Sequence, residues 1–486
     1  MAKKVSKIFK QLNIFSGKIK MKRKLKSISK ILYNKLFSND IDKVIDRVNS
    51  NRKNFRNADS IEKTLTLSKD YFKLYKNNPF FNFNHSIILQ NYSKNPNDGF
   101  KLFEKYEKKK NSWLNKNLLK NLNEDFIPYQ QLLGSLGNHN PLFYYLIYKK
   151  LILKNKSKSN LLMNSKSKFT NPSLAKYFLK NLNVIKSDYF YEKINFLYEL
   201  KKVPLEFTLP FKGIHYPWFA TVNFIRQSLS YKKNNLKKNL FSLSKEDQIK
   251  GSKILKKLGV PKSKWFVTLH VREGKGNSLF NSSPKTYIKA IDTIVKTGGY
   301  VIRVGDKSMT KLPKINGLID YPFTEQKSDF MDVYLAAKNE FCIGTSSGYW
   351  SLPTFFGKPV VLTNYLPHFD YFMLDEKSVF LPKRLFNIKK KKYIPFKESF
   401  SFPLGYMCTN YQLEKNSIKD IDNTSEEINC AVKEMLFLQN KIHGKKTNSK
   451  FIKKNKLLKK DLKKTILNNY KIKLKPFGYF SSTISL

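Results

Sequence analysis

The chain reads as an α/β protein built around two Rossmann-like domains, and three observations lead there. Its 486 residues are about three times the ~150 of an ordinary domain. A hydrophobic fraction of 41%, with 39 Phe and 27 Tyr, supplies sizeable cores and excludes global disorder. From Ser244 onward, short apolar runs alternate with amphipathic stretches of ~10–14 residues, the pattern of a parallel sheet with helices over its faces.

Residues 1–56 form a basic N-terminal segment. Its first 36 residues hold twelve Lys or Arg and no acid, interleaved with Ile8, Phe9, Leu12, Ile14 and Phe15. Either a basic amphipathic surface helix or a solvated tail is expected. Residues 57–125 are patterned as helices, and Ala58, Leu65, Tyr71, Leu74, Leu102 and Phe103 suggest a tetratricopeptide-like arm. One such unit cannot bury both of its faces, so the arm is expected to pack on the next domain.

The first α/β domain is placed at 126–243. An apolar run at 126–133 leads through Gly134-Ser135-Leu136-Gly137-Asn138-His139 into a helix over 141–153. Leu161–Met163 and Val184–Ile185 read as strands, with a helix opened by Asn171-Pro172 between them. The second domain, 244–440, has firmer punctuation. Ser244 with Asp247 resembles a capping box, and Gly259 and Pro261 end that helix. Strands are expected at Trp265–Val271, Tyr300–Val304, Phe341–Gly344 and Pro359–Thr363, and helices at Pro284–Lys296, Asp329–Lys338, Ser347–Phe356 and Glu426–Asn440. Residues 441–486 are a basic tail, expected to be solvated or surface-bound.

The formal charge of +56 attracts polyanions or an anionic membrane surface. Only eight of the 92 basic residues are arginines, so part of the excess reflects lysine-rich composition. Cys342, Cys408 and Cys430 are odd in number and far apart, which excludes a disulfide framework and favours a reducing, cytoplasmic setting. No run approaches ~18 apolar residues, and no secretory apolar core opens the chain, so no membrane span is expected. The six histidines are dispersed and no cysteine pair has ligand spacing, so no zinc site is expected, and no other metal or cofactor is read from the sequence. The dipeptide repeats Asp40-Ile41-Asp42 and Asp420-Ile421-Asp422 follow no core strand and are not read as metal sites. The phosphate loop of ATPases is absent.

Scarce arginines stand at two strand ends. In Thr268-Leu269-His270-Val271-Arg272-Glu273, alternation puts His270 and Arg272 on one face, with Arg272 at the carboxyl end, where open α/β sheets hold ligands. A guanidinium there suits a diphosphate through paired hydrogen bonds, the alternative being a structural ion pair. In Val301-Ile302-Arg303-Val304-Gly305-Asp306, Arg303 needs an anionic partner, whether a phosphate, Asp306 or Asp320. Gly344-Thr345-Ser346-Ser347-Gly348 ends a strand with three hydroxyls before a helix, an anion cradle of which an N-cap explains only one member. Gly134 and Gly137 either admit a ligand to the backbone or make a tight turn, with His139 as base or phosphate donor beside them.

These segments together resemble a known set. Gly134-Ser135-Leu136-Gly137-Asn138 is similar to the glycine loop of GDP-fucose-using fucosyltransferases, and His270-Val271-Arg272 to their H-x-R motif. Asp329–Ala337 with Ile343–Gly348 resembles their third motif. The likeness is closer to a family of bacterial glycosyltransferases across Trp265–Gly276, Tyr287–Pro313, Asp329–Gly348 and Phe356–Asn364. The resemblance implies a GT-B fold, two facing Rossmann-like domains, with a nucleotide-sugar donor held by the second and no obligatory metal. Carried over to this chain, it implies that Arg272 meets the donor diphosphate and His270 shapes its pocket. Asp306 and Asp332 would meet base or ribose, and Thr345, Ser346 and Ser347 the phosphates, while Glu273 or His139 is a candidate acceptor base. His139 stands where the fucosyltransferases have Gln, and Glu273-Gly274-Lys275 departs from their pattern, which puts fucose in doubt. The expected partners are a nucleotide-sugar donor and a glycan or lipid-linked acceptor, with the basic ends touching the inner membrane face. Two other readings are a polyanion-binding protein, for RNA or an anionic membrane, and a GT-like scaffold with a dead donor site; no specific nucleic-acid module is visible.

Overall fold

The computed structural model describes residues 58–74, short turns between 85 and 102, 126–128, 136–163, 168–186, 208–211, 214–217 and 241–484, the last without 275–278, 369–376, 402–403, 408, 443–444 and 463–478. The basic segment 1–56 with Asp40-Ile41-Asp42, most of the helical arm beyond Leu74, and Gly134 lie outside the described residues.

In chain order the first elements are α1 (Ala58–Leu74), β1 (Phe126–Pro128), α2 (His139–Ile147), β2 (Ser159–Met163), α3 (Pro172–Leu179), β3 (Leu182–Lys186), β4 (Thr208–Phe211) and β5 (Ile214–Pro217). Next come α4 (Lys245–Lys257), β6 (Phe266–His270), α5 (Ile288–Lys296), β7 (Tyr300–Arg303), β8 (Leu318–Asp320), α6 (Asp329–Lys338), β9 (Cys342–Gly344), α7 (Ser351–Phe355) and β10 (Val360–Tyr365). The chain continues with β11 (Val379–Pro382), β12 (Arg384–Asn387), β13 (Lys392–Tyr393), α8 (Phe396–Phe400), α9 (Asn410–Lys415), β14 (Ile418–Ile421), α10 (Ser425–Leu438), α11 (Lys445–Leu462) and β15 (Tyr479–Phe480).

Two compact units result. One comprises Met1–Pro128, Asn160–Lys166 and Val184–His215, and the other Tyr129–Ser159, Ser167–Asn183 and Tyr216–Leu486. In the described part of the first half, β1, β2 and β3 form a three-stranded sheet in that order, with β1 and β2 parallel. Helices α2 and α3, which follow β1 and β2 in the chain, belong to the larger unit.

The larger unit is organised by a seven-stranded sheet in the order β15-β11-β10-β9-β6-β7-β8, and every adjacent pair in it is parallel. Strands β6, β9 and β10 carry Val, Ile, Leu and Phe with almost no exposure, as expected where helices cover both faces. The chain starts at β6, steps to β7 and β8, then returns to the other side of β6 for β9, β10, β11 and β15. The direction of winding therefore reverses between β6 and β9. In open α/β sheets such a reversal leaves a crevice at the carboxyl ends of the two strands, because their connections run to opposite faces.

Local chemistry fixes the helices around this sheet. Ser244 caps α4, accepting from the Asp247 amide at 3.1 Å. The Asp247 carboxylate accepts from Tyr177 at 2.8 Å and from Lys176 at 2.5 Å, so it ties α4 to α3 rather than completing the expected box. A reciprocal capping box stands instead at Thr424 and Glu427, at the start of α10. Gly251 lets α4 lie against Tyr334 of α6, since a Cβ there would fall 2.0 Å from the ring. Phe143 of α2 and Phe178 of α3 meet Phe355 of α7 at 4.7 and 5.5 Å, and Phe241 completes the aromatic cluster. That cluster anchors α2 and α3 on the face of the sheet beside β9 and β10.

Three elements differ from the expectation. The helix expected over 141–153 starts at His139 and ends in a wider π-type turn, Tyr148–Ile152. The helix expected at Ser347–Phe356 is a 3₁₀ turn, Gly348–Trp350, followed by α7. The tail expected to be a solvated or surface-bound extension folds back in part: α11 buries Phe451, Leu458 and Leu462, and β15 is the outermost strand of the main sheet, pairing with β11. Spacings of seven and four residues put those three apolar side chains on one helical face while the lysines take the others.

Candidate functional site

The reversal point gathers residues from three stretches of sequence. Val271 and Arg272 extend β6 beyond its last paired residue, and Thr345-Ser346-Ser347-Gly348 does the same for β9, in register through His270 and Gly344. The Arg272 amide donates to Thr345 Oγ1 at 2.9 Å, and its Nη1 donates to the Ser346 carbonyl at 3.3 Å. The guanidinium lies over the Phe280 ring, 5.4 Å from its centre, a cation–π contact. Arg272 is exposed, and among the described residues no carboxylate pairs with it. An oriented guanidinium with unspent donors at the mouth of the crevice suits a phosphate or diphosphate.

The three hydroxyls divide their work differently from the expectation. Thr345 is fully buried and serves Arg272. Ser346 Oγ accepts from the Leu366 amide at 3.0 Å and lies 3.2 Å from the Leu366 carbonyl, pinning the loop to the end of β10. Ser347 is half-buried, and its side chain does not cap the turn that follows. Of the three it is the hydroxyl left to a ligand.

The glycine loop reaches the same place. A Cβ on Gly348 would sit 2.4 Å from the Gly137 amide nitrogen, and Ser351 Oγ donates to the carbonyls of Gly348 at 2.7 Å and Leu136 at 3.3 Å. Gly137 is thus approached by protein backbone, and the 136–138 turn that includes Asn138 is packed against the 348–350 turn. His139 is fully buried, with Nδ1 3.2 Å from the Leu136 carbonyl and its ring 5.3 Å from Phe178. It holds the loop to α3 and does not face solvent.

His270 stacks on Tyr349, ring centres 5.6 Å apart and 12° from parallel. Its buried Nδ1 meets no other residue's hydrogen-bonding group among the described residues. Burial, and then the charges of Arg303 and Arg272, lower its pKa from 6.5 to about 4 against the opposing pull of Asp306, so the imidazole is neutral at pH 7. Burial likewise holds the Tyr349 hydroxyl well above its ordinary value.

The second arginine has a different fate. Arg303 is fully buried; its Nη1 donates to Asp320 at 3.0 Å and to the Thr310 carbonyl at 2.7 Å, and its Nη2 donates to Glu273. The other Glu273 oxygen accepts from the Thr310 amide at 3.1 Å. Of the partners considered for Arg303, the structure selects Asp320 and adds Glu273, so this guanidinium is a structural lock and is not presented to a ligand. Glu273, engaged in that lock, is not held out toward an acceptor.

Gly305 and Asp306 follow β7. Gly305 has φ +150, a conformation that favours glycine, and a Cβ there would strike the Met309 sulfur at 1.9 Å. Asp306 is exposed, and its Oδ1 accepts from the Ser308 amide at 2.8 Å. Hydrogen bonds from Ser308 lower its pKa, so it is ionised at the crevice edge. Asp332, in the first turn of α6, is paired with Lys327, yet burial raises its pKa despite that neighbour. Lys327 in turn lies over the Tyr321 ring at 5.3 Å.

Sequence reasoning missed Phe280, Lys327 and Tyr349, each of which orders one of the named residues. It also missed Lys383, which is buried and holds both Asp420 and Asp422 at 2.8 Å, so an ammonium occupies the space between those carboxylates. The one usable signal was an aromatic or lysine within a few residues of a turn, too common in this chain to stand out. Among the described residues no helix is long and apolar enough to cross a membrane.

No family model and no curated protein sequence matches the chain. Among solved structures it is similar to ADP-heptose lps heptosyltransferase II of E. coli, at 10% identity and a TM-score of 0.29, over 49% of this chain and 83% of that one. It is also similar to a glycosyl transferase family 9 protein from Veillonella parvula, at 10% identity and a TM-score of 0.35, over 64% of this chain and 96% of that one.

Proposed function

We propose that the chain is a glycosyltransferase that takes a sugar from a nucleoside-diphosphate donor bound at the carboxyl ends of β6 and β9. The observation that carries this reading is Arg272, an exposed guanidinium oriented by Thr345, Ser346 and Phe280 and without a carboxylate partner among the described residues. The resemblance of His270-Val271-Arg272 and of the Thr345–Gly348 segment to glycosyltransferase motifs supports it.

In this reading the bond between the sugar's anomeric carbon and the diphosphate oxygen breaks, and its electron pair leaves with the diphosphate. An acceptor hydroxyl oxygen forms the new bond to the anomeric carbon and passes its proton to water or to the departing diphosphate. Charge grows on the departing phosphate, and Arg272 meets it there with donors already in place, so little reorganisation is needed at the moment of transfer. Ser347 contributes a hydroxyl. Asp306 follows the second strand of the winding, where doubly wound folds place the acid that binds ribose hydroxyls, and its low pKa keeps it an acceptor. Neutral His270, flat against Tyr349, walls the pocket without adding charge. The acceptor is a glycan or a lipid-linked glycan.

The test is thermal-shift screening of the purified chain against GDP-, UDP-, ADP-, dTDP- and CMP-sugars, repeated with Arg272→Ala. A stabilisation by one nucleotide class that vanishes in the variant is expected. No shift with any donor would sink the reading.

A further inference from the structure

The hairpin of β12 and β13 carries four consecutive lysines, Lys389 to Lys392, all exposed. The strands are antiparallel, with Phe386 opposite Tyr393 and Asn387 opposite Lys392. Asn387 Oδ1 accepts from the Lys390 amide at 2.9 Å, and Lys391 turns the chain at φ +48. Arg384 lies 4.7 Å from the centre of the Tyr393 ring, and Phe386 meets the same ring at 5.3 Å. The tip is therefore tied at its turn and at its flank. None of the four lysines has an ion-pair partner among the described residues, although lysines elsewhere in the unit do, such as Lys383 and Lys327.

Two large apolar side chains flank the lysines and face solvent: Ile388 is 52% exposed and Tyr393 49%. A cluster of four ammonium groups between an aliphatic residue and a tyrosine has the chemistry of a lipid–water interface, where lysines meet anionic headgroups and the apolar pair enters the acyl boundary. Nucleic acid fits less well. Base reading depends on forked arginine contacts, and this tip offers lysines and an exposed isoleucine.

We propose that this hairpin docks the protein on an anionic phospholipid bilayer. Its base is continuous with the candidate site. Leu385 of β12 belongs to an apolar cluster with Leu279, Leu366 and Met407, against which Phe280, the ring under Arg272, is packed. A hairpin resting on the bilayer holds that crevice close to the membrane surface. The docking surface itself stands whether or not the chain transfers sugars.

The test is vesicle co-sedimentation of the full chain, with pure phosphatidylcholine compared against phosphatidylcholine containing phosphatidylglycerol. Binding is expected only with phosphatidylglycerol present. Replacing Lys389, Lys390, Lys391 and Lys392 by Gln is expected to weaken it by about tenfold or more, and Ile388→Ser by about threefold. A matched variant with Gln at Lys253, Lys256, Lys257 and Lys262, four exposed lysines on and just after α4, removes the same charge and is expected to stay within about twofold of the parent. Thermal midpoints of all variants show that the fold is kept. Equal losses in the two quadruple variants would mean diffuse attraction by a +56 chain and would overturn the proposal. So would unchanged vesicle binding in the hairpin variant with loss of binding to a single-stranded RNA probe, which would give the hairpin to nucleic acid.

Discussion

Arg272 and Arg303 occupy the same edge of the same sheet, at the ends of adjacent parallel strands, yet one is held out and the other locked in. Arg303 is level with Leu269 inside the paired ladder, fully buried, and bonded to two carboxylates. Arg272 lies two residues beyond the last strand residue of β6, exposed, and oriented by a hydroxyl, a carbonyl and an aromatic ring. Glu273 makes the difference. Neighbouring residues in extended chain point to opposite sides, so Arg272 turns to the Thr345–Ser346 loop while Glu273 turns to Arg303. The lesson is that a strand-end arginine keeps its donors free when the carboxylate beside it in sequence is spent on another arginine.

The largest effect should come from breaking the lock. Arg303→Met leaves Glu273 and Asp320 partly buried without their shared cation, and a loss of about 3–5 kcal/mol is expected in urea unfolding. A change under about 1 kcal/mol would show that the two carboxylates find solvent instead, and the contrast between the arginines would fail. Arg272→Ala should do the reverse. Stability should change by less than about 1 kcal/mol because the side chain is exposed, while sugar transfer falls by about 10²–10³-fold. Arg272→Lys should recover only a small part, since a point charge replaces a fork. Parallel losses of stability and transfer in Arg272→Ala would mean that it, too, is structural.

The frame around this contrast was legible beforehand, but the contrast itself was not, since the sequence left a phosphate open as the partner of either arginine, and the missing parts have a common cause. Most strands and helices from Ser244 to Gly344 showed in the sequence because each is locally periodic and punctuated, whereas β8, three residues long, carried no such signal and was not read. That Arg272 and the Thr345–Gly348 segment share one place was implied by the resemblance of both to motifs of a single donor pocket, and the structure supplies the reason, because the strands they follow are parallel neighbours. What escaped was non-local. Glu273 looked like a base beside Arg272 because sequence distance gives no hint of a partner thirty residues on. Thr345 and Ser346 looked like ligands because their bonds to Arg272 and Leu366 cross between elements. His139 looked like a reactive group until its burial against Phe178 was known. In α11 the apolar positions Phe451, Leu458 and Leu462 were present all along, but a lysine-rich background concealed a helix with a buried face.

His270 feels the charge of both arginines and reports on both. Its folded pKa of about 4 is below the ordinary 6.5, so the unfolded chain takes up the proton first. Its contribution is complete above pH 6.5 and is lost as pH falls toward 4, on the order of 2–3 kcal/mol before allowance for solvent. His85 and His368, also lowered to about 4 by burial, act in the same direction. Urea midpoints of the parent and His270→Asn at pH 7 and pH 4.5 should therefore both fall with acid, the variant by about a third less. Identical slopes would mean that His270 is hydrated in solution and feels neither guanidinium.

The smallest effect probes how Arg272 is held. Thr345→Val keeps shape and burial but removes the oxygen that accepts the Arg272 amide, which costs about 1–2 kcal/mol if no water replaces it. Because Arg272 is positioned by this loop and, among the described residues, by no carboxylate, loosening it should lower donor affinity about fivefold, while Thr345→Ser restores the acceptor and most of the affinity. The Arg303 lock draws nothing from Thr345, so its unfolding contribution should be untouched, as a double variant with Arg303→Met would show by additive losses. Non-additive losses would couple the two arginines through the sheet edge and make the crevice and its lock a single cooperative element.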